Sequence, residues 1–205
     1  MEPSKATGGL NGLVRRMQTS QVHNTMNAAI QVLNDEHKVI LSAIQELQTV
    51  LTDGIEKHPV EEIENFLTFF GEYGDLFHHQ KEEAILFGLL EKEFPDLGGS
   101  IIASLKEHHT HFRDLISNAK KYLAKRDFAA LSMVLSNYIS DLQDHISAED
   151  DEFFVSVQDL LGERAWDRLF YQFKDRDREL GNERKEKWEA RFNVLKSVRD
   201  SASPR

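Results

Sequence analysis

Phe77-His78-His79-Gln80-Lys81-Glu82-Glu83 and Asp144-His145-Ile146-Ser147-Ala148-Glu149-Asp150 each hold a histidine with a glutamate four residues later. Each is followed at the same offset by an apolar pair, Leu86-Phe87 and Phe153-Phe154. Residues four apart share one helix face, so each pair can offer an imidazole and a carboxylate to one point. A lone His-x3-Glu says little, since the pattern also begins at His58 and His79. Repetition is what makes it informative. Glu36-His37 precedes the first stretch and Glu107-His108 the second, so each half reads Glu-His, His-x3-Glu, apolar pair. This is the signature of a duplicated helix pair.

Apolar residues at three- and four-residue steps extend the reading outward. Ile30, Leu33, Ile40, Ile44, Leu47 and Leu51 predict a helix over about 27–52, ended at Thr52-Asp53-Gly54. Pro59 restarts the chain, and Ile63, Phe66, Phe70, Phe77 and Leu86 carry a second helix over 59–93. Phe94-Pro95-Asp96 and Gly98-Gly99 break it, with Ser100 a candidate cap. A third helix is predicted over 100–125 and a fourth over 127–161. No segment alternates with period two, so no sheet is expected. The fold class is all-α: an up-down-up-down four-helix bundle over 28–162 with a C-terminal helical extension. Residues 1–27, with Gly8, Gly9 and Gly12, are expected to be a flexible segment. Residues 163–205 hold 12 basic and 9 acidic side chains and net +3, whereas the rest nets −13. The extension, divided near Gly181, is therefore expected to pack on the acidic bundle or on a second copy, the latter giving a homodimer through 163–200.

Composition excludes several chemistries. The chain of 205 residues has no cysteine, so disulfides, thiolate nucleophiles and thiolate metal sites are absent. A net charge of −10 argues against nucleic-acid and anionic-membrane binding. No apolar run reaches the roughly 18 residues that cross a bilayer. The first 27 residues lack a continuous apolar stretch, so the expected location is cytoplasmic. There is no His-Glu-x-x-His, no Glu three residues before a His, and no glycine-rich nucleotide loop.

On these helices His37, His78, His108 and His145 fall on the predicted inner faces, with Glu82 and Glu149 one turn beyond two of them. Buried imidazoles need hydrogen-bond partners and buried carboxylates need counter-charge. Converging in one apolar interior, these six point to metal. Imidazole and carboxylate without thiolate suit iron, manganese or zinc. Six ligands exceed one tetrahedral zinc and fit two six-coordinate ions bridged by both carboxylates. His79 lies one residue off the inner face. His109 sits at the edge of the apolar face and His111 on the polar one, so neither is chosen as a ligand. His58 and His23 are assigned no metal.

The motifs His78-x3-Glu82-Glu83-x2-Leu86-Phe87 and Asp144-His145-Ile146-Ser147-x-Glu149 resemble the hemerythrin-like, or HHE cation-binding, family over about 28–162, most closely its iron-centre-repair type. The resemblance implies two non-haem iron ions with an oxo or hydroxo bridge. His37 and His78 would serve one, His108 and His145 the other, with Glu82 and Glu149 bridging. It further implies binding or reduction of oxygen, peroxide or NO in stress response or iron-centre repair, as an enzyme or, alternatively, as an oxygen or iron sensor or storage module signalling through the C-terminal helices. Two positions depart from the family. Gly88 stands where proline is common. Phe112 stands where oxygen carriers have a further histidine, which leaves one ion with room for a small ligand.

Overall fold

The computed structural model describes residues 27–99 and 101–202. Among them every regular element is helical and there is no strand. The segment 1–26, with His23, and the candidate cap Ser100 lie outside the described residues. No described helix is long and apolar enough to cross a membrane.

Helix α1 is Ala28–Asp53; the Asn27 side chain caps it by accepting from Ala29 N at 2.9 Å. It ends at Gly54, whose φ of +97° is a conformation that side chains resist. Helix α2 runs from 60 to 93, and α3 is Ile101–Lys125. Helix α4 covers 128–157, capped by the Asp127 carboxylate on Ala130 N at 3.1 Å. Helices α5, Glu163–Leu180, and α6, Asn182–Ala202, meet at Gly181, whose φ is +104°.

Helices α2 and α4 are not regular. Three stretches, Phe70–His79, Glu82–Phe87 and Glu149–Phe153, are π-helical. A π-turn holds one more residue than an α-turn, so it rotates sequence neighbours onto a shared face, and such turns recur at functional sites. Here Phe77, His78 and His79 are all buried in succession, and so are Lys81 and Glu82.

The interior falls into two apolar clusters. One contains Ile40–Val50 side chains of α1, Phe66 and Phe70 of α2, Ile116 of α3 and Leu135 of α4. The other contains Leu33 of α1, Leu86 of α2, Leu105 of α3 and Phe153 of α4. On each of the four helices the buried histidines and glutamates lie where the chain passes from one cluster to the other. Helix α1 meets the second cluster before the first; α2 reverses that order, α3 restores it and α4 reverses it again.

The C-terminal helices pack on the chain's own bundle. Trp166, Leu169 and Phe173 join the second cluster, and Phe192 joins the first. Charge complementarity contributes: Trp188 Nε1 donates to Glu72 at 3.1 Å and Arg184 lies 3.7 Å from it.

Candidate metal centre

Six side chains from four helices converge between the clusters: His37, His78, Glu82, His109, His145 and Glu149, each at most 2% exposed. His37, His78, Glu82 and Glu149 bring their ligand atoms within 4.8 Å of one another, as do His79, His109 and His145. The Glu82 carboxylate spans the two halves, with one oxygen 3.4 Å from His78 Nε2 and the other 3.5 Å from His109 Nε2. Glu149 Oε2 lies 3.4 Å from His37 Nε2 and 3.3 Å from His145 Nε2. None of the four carboxylate oxygens makes a hydrogen bond, and neither does Nε2 of His37 or His78.

Such a group of buried, unpartnered acceptors is costly, since each forfeits its hydration for nothing in return. A divalent cation satisfies all of them at once. The donor set of imidazole and carboxylate therefore fits iron, and the residues present fit the group that the fold implies.

All four imidazoles turn Nε2 inward and are held from behind at Nδ1, by a pattern that repeats. His37 Nδ1 meets Asp150 at 2.7 Å and His109 Nδ1 meets Glu83 at 2.9 Å. Asp150 and Glu83 each directly follow a central glutamate. His78 Nδ1 meets Glu36 at 3.1 Å, and His145 Nδ1 meets His108 Nδ1 at 3.4 Å. Glu36 and His108 each directly precede an inward histidine. A hydrogen bond at Nδ1 fixes ring orientation and presents the opposite nitrogen to an ion.

Five of the six residues expected from sequence thus come together, and His108 does not: it is exposed, and His109 takes the inward place. The reason is register. Helix α3 buries Ile102, Leu105, His109, Phe112, Ile116, Ala119 and Leu123, an unbroken seven-residue repeat. Reading that helix from Ile101 puts His108 inside, but Ile101 is 37% exposed. The internal repeat misled in the same way. Geometry pairs Glu36-His37 with His108-His109, whereas the letters pair it with Glu107-His108. His79 was also missed. The π-turn carries it inside, where its ring stacks on His109 with centroids 3.9 Å apart and planes 13° apart. Two parallel rings do not aim lone pairs at one ion, so His79 covers His109 rather than sharing its ligand role. His111 is 53% exposed and pairs with Asp141.

Two of the four rings already have the form that binds a cation, and His37 has to give up a proton to join them. Burial, with the charge of His37, pushes His78 down to about 4. Burial likewise takes His145 to about 3, so both rings are neutral ligands at pH 7. Burial raises Glu82 well above the carboxylate range, and the charge of Glu149 beside it adds to this. Burial would raise Glu149 too, but the imidazoles of His145 and His37 outweigh it and hold it at about 2. Burial opposes charge on His37, yet Asp150 and Glu149 lift it to about 9.

Space adjoins the centre on one side. A cavity of about 310 Å³ is lined by Phe70, Gly71, His79, Phe112, Lys120 and Tyr138. A second, about 340 Å³, touches His108, Phe112 and His145. No side chain packs closely on Gly71 or Gly74. A Cβ on Gly74 would meet nothing within 4 Å, and one on Gly71 only Lys120 Nζ at 3.9 Å.

A helical bundle whose interior is a cradle of imidazoles and carboxylates is a cation-binding protein in its architecture. A model of the hemerythrin HHE cation-binding domain matches residues 28–156, and the chain belongs to that family. Domains of this family bind non-haem metal, typically iron. No curated protein and no solved structure matches the chain.

Proposed function

We propose that this is a two-iron protein that binds or reduces a small oxidant, oxygen, peroxide or NO, in stress response or iron-centre repair. His37 and His78 would hold one ion and His109 and His145 the other, with the Glu82 and Glu149 carboxylates lying between the two positions. The helices run up-down-up-down, in keeping with the alternating order in which they meet the two clusters. The observation that carries the reading is the pair of buried carboxylates with four unpartnered oxygens, each carboxylate set between imidazoles of different helices.

Ferrous iron in such a set supplies electrons and open positions for a diatomic molecule or peroxide. The chain supplies the rest. Phe87, Phe112 and Phe154 are buried beside the histidines and exclude bulk water. Phe112, 5.1 Å from the His145 ring, adds bulk without adding a ligand. The cavity beside Gly71 leads to His79 and so to the His109 side.

Anaerobic loading should yield two irons per chain and an optical spectrum that changes on exposure to oxygen. Less than one iron per chain would defeat the reading. Gly71→Leu should fill the cavity, leave iron content at two and slow NO association in stopped flow. It should also stabilise the helix by about 0.5–1 kcal/mol. Unchanged association would place the entry path elsewhere.

A sensor or storage reading draws on the contact of Lys185 of α6 with Glu36 behind His78. It predicts an oligomeric state that changes with iron loading and ceases to change when 163–205 is removed; constant size in both states removes it.

A further inference from the structure

Behind His78 lies a buried quartet of charges, two from the cation-binding motifs and two from the C-terminal helices. Glu36 is 2% exposed and Lys81 is 0% exposed. Asp177 of α5 and Lys185 of α6, at 4% and 8%, complete it. Lys81 Nζ donates to Glu36 Oε1 and sits 2.5 Å from Asp177. Lys185 Nζ lies 2.6 Å from Glu36 Oε1 and 2.8 Å from Asp177 Oδ2. Two carboxylates and two ammoniums balance, which makes their burial tolerable, and removal of one member leaves an uncompensated charge. Asp177 and Lys185 lie beyond the matched residues 28–156.

The other half is held less deeply: Glu83 behind His109 is clamped by Arg113 at 2.6 Å, but Glu83 and Arg113 are 21% and 34% exposed. His145 Nδ1 faces an imidazole nitrogen of exposed His108 instead of a clamped carboxylate. Both cavities adjoin this half. Neither cavity is lined by His37 or His78. A carboxylate behind an imidazole raises its basicity and fixes its orientation, and loss of such support typically costs 10–100-fold in metal affinity.

We infer that the C-terminal helices lock the His37–His78 ion position through Glu36, so that an ion there is retained longer than one at the His109–His145 position. Glu36, Lys81, Asp177 and Lys185 are positioning residues, and α5 and α6 are part of the metal centre rather than an appendage. The inference rests on the two-ion reading above.

Release of iron tests it. The full chain, loaded anaerobically with ferrous iron, is mixed with excess ferrozine and the colour followed. Two phases of equal amplitude are expected. Lys185→Met should speed the slow phase by about tenfold or more and leave the fast one alone. His108→Gln should speed only the fast phase. Should Lys185→Met fail to fold, Asp177→Asn keeps the side-chain shape, removes one charge and should act on the same phase. A single phase in the native chain overturns the inference while the two-ion reading stands. So does a slow phase that neither variant moves while both lower the melting temperature, for the quartet would then serve packing alone. A native chain that takes up no iron defeats the underlying reading, and this one falls with it.

Discussion

Glu82→Leu is expected to abolish the two-ion centre and, in the presence of chelator, to raise the melting temperature of the chain. The two outcomes have one cause. Glu82 is wholly buried, neither oxygen has a hydrogen-bond partner, and Glu149 repels it. An unsatisfied buried polar group costs about 1–3 kcal/mol. An apolar residue of similar size avoids that cost, and for a chain of this length each 1 kcal/mol is worth about 2–4 °C. The same carboxylate is the span between His78 Nε2 and His109 Nε2, so without it one ligand to each proposed ion is lost and only Glu149 joins the two positions. Metal analysis should fall from two ions to below one per chain. Thermal melts should order the species as metal-loaded native chain, then metal-free variant, then metal-free native chain, because ions bound only by the folded state add stability by mass action. A metal-free variant less stable than the metal-free native chain would mean that the carboxylate is satisfied where it sits.

His109→Ala and His108→Ala should separate sharply. His109 is 0% exposed with Nε2 2.9 Å from that of His145, so its loss should remove about one ion of two. His108 touches only the outer nitrogen of His145, and its loss should leave both ions in place with weaker retention of one. Iron assays on the two purified variants check this. Equal iron in both would refute the register of α3.

That register marks where the sequence stops being legible. The helices were readable because their apolar steps are long and regular, and Gly54, Pro59, Pro95 and Gly181 punctuate them at the observed joints. His37, His78, Glu82, His145 and Glu149 were readable because the repeat brought out the i, i+4 pairs. His108 and His109 were not separable by eye, since adjacent residues differ by only about 100° around a helix and the neighbouring Ile101-Ile102 pair supports either phase. The clue was available in Ile102, Leu105, Phe112 and Ile116, whose steps alternate strictly between three and four residues when the chain is read through 109. His79 and Lys81 were hidden for another reason. A 3.6-residue period assumes an α-helix, and π-turns cannot be seen in letters. The quartet at Glu36 joins residues up to about 150 positions apart, and no local pattern announces it.

Each half of the chain braces the other's histidine, Asp150 behind His37 and Glu83 behind His109. Neither half is therefore self-sufficient, although their letters look like two copies of one unit. Two molecules that traded their second halves would rebuild every one of these contacts across the pair. A swapped dimer and a monomer would share one optical spectrum and one iron stoichiometry, and only their hydrodynamic size would tell them apart.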